Sequence, residues 1–175
     1  MYDKILISFD GSEHSIRALD TAVQIAKNFN GKITLIYVCE FEVPMPASAT
    51  FTSPSMGLYG EDARARAGTS LIATPDLTNE PVPQALRAGM DECLQKVGAN
   101  VLADGEKRVK AEGVTVEKLL KRGHAVEEII KTAKEGKFDL IAMGSRGLSK
   151  IKELALGSVS EGVMRHSSCP VLIVK

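Results

Sequence analysis

Short apolar runs with no polar interruption recur along the chain, and most are followed by a stretch with helical periodicity. Lys4–Phe9 reads KILISF and ends at Asp10–Gly11, the form of a short strand buried on both sides. Ser12 then stands where an N-cap is needed. Ile16, Leu19, Ala22, Val23, Ala26 and Phe29 recur at helical spacing, and Asn30–Gly31 supplies a left-handed stop. Lys32–Val38 (KITLIYV) is a second strand, so the chain opens β-α-β, a unit whose strands lie parallel and whose crossover is right-handed. Further on, a long helix is expected from Gln84 toward Val109, with the stripe Leu86, Met90, Cys93, Leu94, Val97, Val101 and Leu102; Gly98 or Gly105 marks a place for a bend. A strand at Val114–Leu120, a helix at Val126–Lys134, a strand at Asp139–Met143, a helix at Ser158–Arg165 and a strand at Pro170–Val174 complete the alternation. Runs such as LIAM and VLIV lack polar alternation, as strands covered on both faces should. The fold class is therefore α/β, a doubly wound five-stranded parallel sheet with helices on both faces, Rossmann-like. In such sheets ligands sit beyond the carboxyl ends of the strands, where strand order reverses.

Between about residues 40 and 83 the pattern fails: six of the seven prolines fall there among small polar residues. A connection of this length is either functional, as a lid or a partner-binding loop, or disordered, and both readings stand at this point. The 175 residues are read as a single domain, 1–175, carrying that irregular insertion. Basic and acidic residues balance at 22 each, so no global field draws the chain to nucleic acid or to an anionic membrane, and any anion site must be local. No apolar run reaches the length that spans a bilayer, and Met1–Asp10 does not have the form of a signal peptide. Cys39, Cys93 and Cys169 are far apart and odd in number, which suggests neither a zinc site nor a disulfide framework. Each reads as a small buried apolar side chain, and a reducing cytoplasm fits.

The stretch that carries chemistry follows the fourth strand. Met143-Gly144-Ser145-Arg146-Gly147 is followed by nine residues and then by Gly157-Ser158-Val159-Ser160, which opens a helix. Glycines permit close backbone approaches that a side chain would block, so main-chain N–H groups can face a phosphate. A helix start adds free N–H groups and the positive end of the dipole. The hydroxyls of Ser158 and Ser160 are further donors, and Arg146, Lys150 and Lys152 add positive charge. Alone, G-x-x-G is usually a turn, Ser158 a cap and the lysines a solvated loop; together, between two buried strands, they point to an anion site. The Walker pattern, the dinucleotide fingerprint, H-E-x-x-H and G-x-S-x-G are all absent from the sequence. His14, His124 and His166 assemble no site in sequence, although His124 follows a strand end on the ligand side.

The G-x-x-G-x9-G-S pattern between a strand and a helix, followed by CPVLIVK, resembles the ATP-binding branch of the universal stress protein family. The strand ending in Asp10, the capped helix after it and the run G-H-A-V-E-E-I from Gly123 are similar to that family as well. The resemblance implies strand order 3-2-1-4-5. It implies that the Val38 backbone reads the adenine edge, that the Asp10 carboxylate lies near ribose or base, and that Met143 and Gly144 lie alongside. It also implies that Gly147, Gly157, Ser158, Val159 and Ser160, with Arg146 nearby, hold the phosphates of ATP. Mg²⁺ or Mn²⁺ would be held mainly by phosphate oxygens. Ser8 and Phe9 complete the set; they depart from the small or proline residues common before that aspartate, and a Phe9 ring facing the ligand would reshape the adenine slot. Asp10 read alone makes an Asx turn with Gly11, which is compatible with ligand contact.

The resemblance further implies a homodimer through the last strand, Val171, Leu172, Ile173 and Val174, an apolar sheet edge in need of cover. The function expected is that of an ATP-binding regulatory or stress-response protein, with a protein partner that the sequence does not name. No general base stands out, so hydrolysis is expected to be slow or partner-triggered if it occurs at all. A nucleotide-free dimeric interaction module, in which the glycines only shape a loop, and an adenylating enzyme are the alternatives.

Overall fold

Strand and helix alternate along a computed structural model of the chain, described at residues 2–40, 84–148 and 156–175. Of the insertion expected at about residues 40–83, residues 41–83 lie outside the described residues, as do Lys150 and Lys152. These described residues fall almost wholly in one compact unit, Met1–Phe41 with Ala88–Lys175. The elements are β1 (Lys4–Ser8), α1 (Glu13–Phe29), β2 (Lys32–Cys39), α2 (Gln84–Ala111), β3 (Val116–Arg122), α3 (Ala125–Gly136), β4 (Leu140–Gly144), α4 (Ser158–His166) and β5 (Val171–Val174). All pairings are parallel, in the order β3-β2-β1-β4-β5, the expected doubly wound sheet.

Strand alternation divides the core in two. Ile5, Ile7 and Phe9 point to one face and pack with Leu19, Ala22 and Val23 of α1 and with Leu102 and Val109 of α2. Leu6, Ile36, Ile141 and Met143 point to the other and pack with Ala125 and Ile129 of α3 and Val163 of α4. The central strands are thus covered on both sides, and each fully buried aliphatic side chain contributes roughly 1.5–3 kcal/mol. Strand order reverses between β1 and β4, which opens a crevice at their carboxyl ends.

Local chemistry sets the ends. The Ser12 hydroxyl accepts from the Ser15 amide at 3.2 Å, and Asn30 stops α1 in the left-handed region with φ of 56°. Both match the sequence reading. The third strand does not begin at Val114 as expected: Gly113 turns with φ of 75° and Val114 is spent closing α2 into the core, so pairing runs from Ile33 with Val116 to Cys39 with Arg122. Helix α2 is continuous through Gly98 and Gly105. Its buried line is Gly98, Leu102, Gly105 and Val109, whereas Cys93 and Val97, expected in the stripe, are exposed. A β-carbon on Gly98 would lie 2.6 Å from Leu120, and one on Gly105 2.9 Å from both Phe9 and Leu35. These glycines let the helix lie close on the sheet instead of bending it. Among the cysteines only Cys39 is buried; Cys93 is exposed and Cys169 intermediate.

Candidate functional site

The pairing register builds the floor of a cleft at the strand reversal. Ser8 is flanked by Ile36 on β2 and Met143 on β4, and all three share the face covered by α3. Val38, two residues beyond Ile36, continues that face and packs against the cluster that holds Ile36, Ala125 and Ile129. The resulting cleft, about 310 Å³, is lined by all twelve residues expected to contact the ligand: Ser8, Phe9, Asp10, Val38, Met143, Gly144, Arg146, Gly147, Gly157, Ser158, Val159 and Ser160.

Its polar end is the junction of the loop after β4 with α4. Gly157 is the N-cap of α4 and makes no side-chain cap. The amides of Ser158, Val159 and Ser160 follow it, and among the described residues none has an acceptor. Such first-turn amides form the donor end of a helix and carry the positive end of its dipole. The Ser160 hydroxyl is buried and lies 2.8 Å from the Gly157 carbonyl and 3.0 Å from that of Ser145. Its single hydrogen is thus committed within the protein, and it fixes the loop against the helix start. The Gly157 amide is likewise taken, donating to Ser145 O at 2.8 Å.

The three glycines of the motif meet different demands. A β-carbon on Gly144 would lie 2.8 Å from the backbone of His14 and Ser15, so glycine there lets α1 cross the end of β4. One on Gly147 would lie 2.7 Å from the Asp10 carboxylate. At Gly157 the nearest atoms would be 3.4 Å away, an ordinary contact, and the backbone (φ −77°, ψ 156°) suits any residue. The fold itself does not require glycine at 157.

Asp10 anchors the other wall. Its Oδ1 accepts from the Ser12 amide at 2.9 Å, the Asx turn expected, with Gly11 at φ of 79°. The Ser12 hydroxyl reaches the Arg146 carbonyl at 3.4 Å, tying the two loops together. Phe9 lines the cleft, but its ring is buried against Gly105 of α2 on the opposite face of the sheet. The bulk at that position therefore does not narrow the slot.

Sequence reasoning missed Ser15, Ile36, Tyr37, Glu40, Ala125, Ile129 and Leu148 in the lining. Ile36 and Glu40 were within reach, since they flank Val38 at the two-residue period of a strand. Ala125 and Ile129 required knowing which helix covers β2. Burial first, with Cys39 and the Asp10 carboxylate nearby, pushes the Tyr37 phenol above its ordinary range, so it stays a neutral hydroxyl. One Glu40 oxygen accepts from the Ala125 amide at 2.6 Å. His124 is the N-cap of α3 without a side-chain cap bond, and it does not line the cleft.

Comparison with known proteins places this architecture. The Universal stress protein family model matches residues 1–175. Universal stress protein YxiE of Bacillus subtilis is 31% identical over 175 residues, covering 100% of both chains. The solved structure of hypothetical protein MJ0577 of Methanocaldococcus jannaschii is 25% identical with a TM-score of 0.72, covering 100% of this chain and 96% of that one. A universal stress protein solved in complex with cAMP is 27% identical with a TM-score of 0.63, covering 99% of this chain and 97% of that one. A family match over the whole length and a full-length relative, on a sheet of the same order, show that this chain belongs to the universal stress protein family.

Proposed function

We propose that the protein is a single universal stress domain, 1–175, that binds ATP in the cleft between β1, β2 and α4 and acts as a nucleotide-dependent regulatory protein of the cytoplasm. The observation that carries this reading is the set of three unpartnered amides, Ser158 to Ser160, opening α4 behind a glycine that the fold does not need. Such a helix start receives an anion without a side chain in the way. The opposite end, walled by Ile36, Val38 and Ile129, is apolar and suits a flat base. The relative solved with cAMP supports a phosphorylated nucleoside as the ligand class.

In this reading Gly147, Ser158 and Val159 meet the phosphates with Arg146 beside them, Ser160 positions the loop, and Asp10, Val38, Met143 and Gly144 flank the nucleoside. Ser8 and Phe9 contribute floor and backbone. Among the described residues no three His, Cys, Asp or Glu side chains come together; Mg²⁺ or Mn²⁺ would therefore be held mainly by phosphate oxygens, neutralising their charge. The chain's own residues bind and orient; no side chain in the cleft is assigned as a general base. Among the described residues no helix is long and apolar enough to cross a membrane.

Gly157→Asp tests the site. Aspartate is a favourable N-cap, and its carboxylate would take the Val159 or Ser160 amide itself, so the helix gains a cap while a phosphate loses its donors and meets a negative charge. By isothermal titration with ATP and Mg²⁺, affinity is expected to fall at least roughly tenfold, the scale of one lost hydrogen bond to a charged group, with no drop in unfolding temperature of the free protein. Undiminished ATP binding by this variant would leave the glycines as loop-shaping residues only, the nucleotide-free interaction module.

A further inference from the structure

The end of the sheet opposite the cleft carries a second pocket, of about 570 Å³. Because the strands are all parallel, their amino ends meet there: Tyr2 precedes β1, Asp139 precedes β4 and Pro170 precedes β5, and all three line the pocket. Five phenylalanines and tyrosines fall among the described residues; Phe9 and Tyr37 serve the other end of the sheet, and the remaining three, Tyr2, Phe29 and Phe138, converge here. Phe29, the last residue of α1, stays 39% exposed. Tyr2 meets it edge to face, with ring centroids 5.5 Å apart and planes at 80°, so the two rings hold each other as walls of a corner. The third ring is fitted by a glycine, since a β-carbon on Gly136 would collide with Phe138.

Beside the rings stands one fixed charge. Asp139 Oδ2 accepts from the amides of Asp3 and Lys4, both at 2.9 Å, and no donor among the described residues occupies Oδ1. The Lys4 ammonium is held by the Gly136 carbonyl at 3.2 Å, and no lysine or arginine is among the described residues that line the pocket. Aromatic faces attract a cation, and a carboxylate accepts but cannot donate, so rings and charge favour the same sign of ligand and repel an anion. A primary ammonium needs an acceptor for each of its three N–H groups. A quaternary one needs apolar contact, which three rings and Pro170 supply. We propose that this corner is a binding site for a small quaternary ammonium compound, seated on the Tyr2, Phe29 and Phe138 rings with its charge beside Asp139. The site is independent of the nucleotide cleft.

The test titrates three probes into the full chain and follows backbone amides by NMR: choline, ethanolamine, and the uncharged isostere of choline in which a tert-butyl group replaces trimethylammonium. Choline is expected to give saturable shifts at the Asp3 and Lys4 amides, which report on Asp139. Ethanolamine and the isostere are expected to bind at least roughly fivefold more weakly, the scale of a cation–π contact. Phe29→Leu keeps an apolar side chain without the ring, and Asp139→Asn keeps an oxygen for the two amides without the charge. Each should weaken choline by roughly threefold or more, its amide spectrum showing that the fold is kept. If a variant fails to fold, the probe series on the parent decides alone. Equal binding of the isostere, equal or tighter binding of ethanolamine, undiminished choline binding by Phe29→Leu, or no saturable shift at millimolar choline overturns the proposal. None of these outcomes bears on ATP binding at the other end of the sheet.

Discussion

Glu106 joins two elements through one carboxylate: Lys110, one turn on in α2, meets it at 2.7 Å, and Lys118 of β3 meets its other oxygen. Hydrogen bonds from Lys110 first and Lys118 second hold the carboxyl down to about 2, against an ordinary value of 4.5. The folded value is the lower one, so the group favours folding above about pH 4.5, and that contribution is lost as pH falls toward 2. Its size is limited because the lysines are largely exposed. Urea unfolding of the parent and Glu106→Gln should show a stability gap at pH 7 that is much smaller at pH 2. A gap of the same size at both values would show that the residue acts by packing instead of charge. The same scale explains why the motif glycines are unequal. Gly144 answers to the α1 backbone and Gly147 to Asp10, whereas a β-carbon on Gly157 would meet only ordinary contacts, Ser145 O at 3.4 Å the nearest. A motif spells all three with one letter, and only the neighbours around each tell their roles apart.

Helix α2 shows where sequence and structure diverge at the scale of elements. Its stripe was sought in apolar side chains, yet the buried line holds two glycines, which add nothing to a hydrophobic count. Gly105→Val should therefore destabilise the fold by about 1–3 kcal/mol through overpacking against Phe9 and Leu35, with some further cost from the β-branched residue in a helix; chemical denaturation measures it. A gain in stability, expected if Gly105 were only a weak point in the helix, would refute the close packing. The strands were legible because β1 and β4 are buried on both faces and read as continuous apolar runs. Caps at Ser12 and Asn30 were legible because their chemistry is local. The start of β3 was not, since Val114 is apolar whether it pairs or packs. Of the cleft, the twelve residues found lie at strand ends or in the glycine loop, where short-range chemistry marks them. Glu40 is tied to Ala125 across 85 positions, and nothing nearby in the chain announces that bond.

At the scale of the whole molecule, the unfinished feature is the edge at β5. It pairs only with β4 among the described residues, and all four of its residues keep partial exposure. The Pro170 and Val174 carbonyls accept from Ile141 and Ser145 at 3.0 and 2.7 Å, so alternate residues face β4, and Val171 and Ile173 turn their N–H and C=O groups outward. An apolar edge with free backbone groups invites a second strand, which is the basis for proposing a homodimer through Val171, Leu172, Ile173 and Val174. Ile173→Pro removes one outward donor and leaves the bonds to β4 intact, the position at which an edge strand tolerates proline. Light scattering at micromolar concentration should give a dimer mass for the parent and a monomer mass for this variant. ATP affinity should stay within roughly a factor of two, because the cleft draws on β1, β2, β4 and α4 and not on β5. A parent that is already monomeric, or a proline variant that remains dimeric, would move the interface off this strand; loss of nucleotide binding together with the dimer would mean that the second copy supports the cleft.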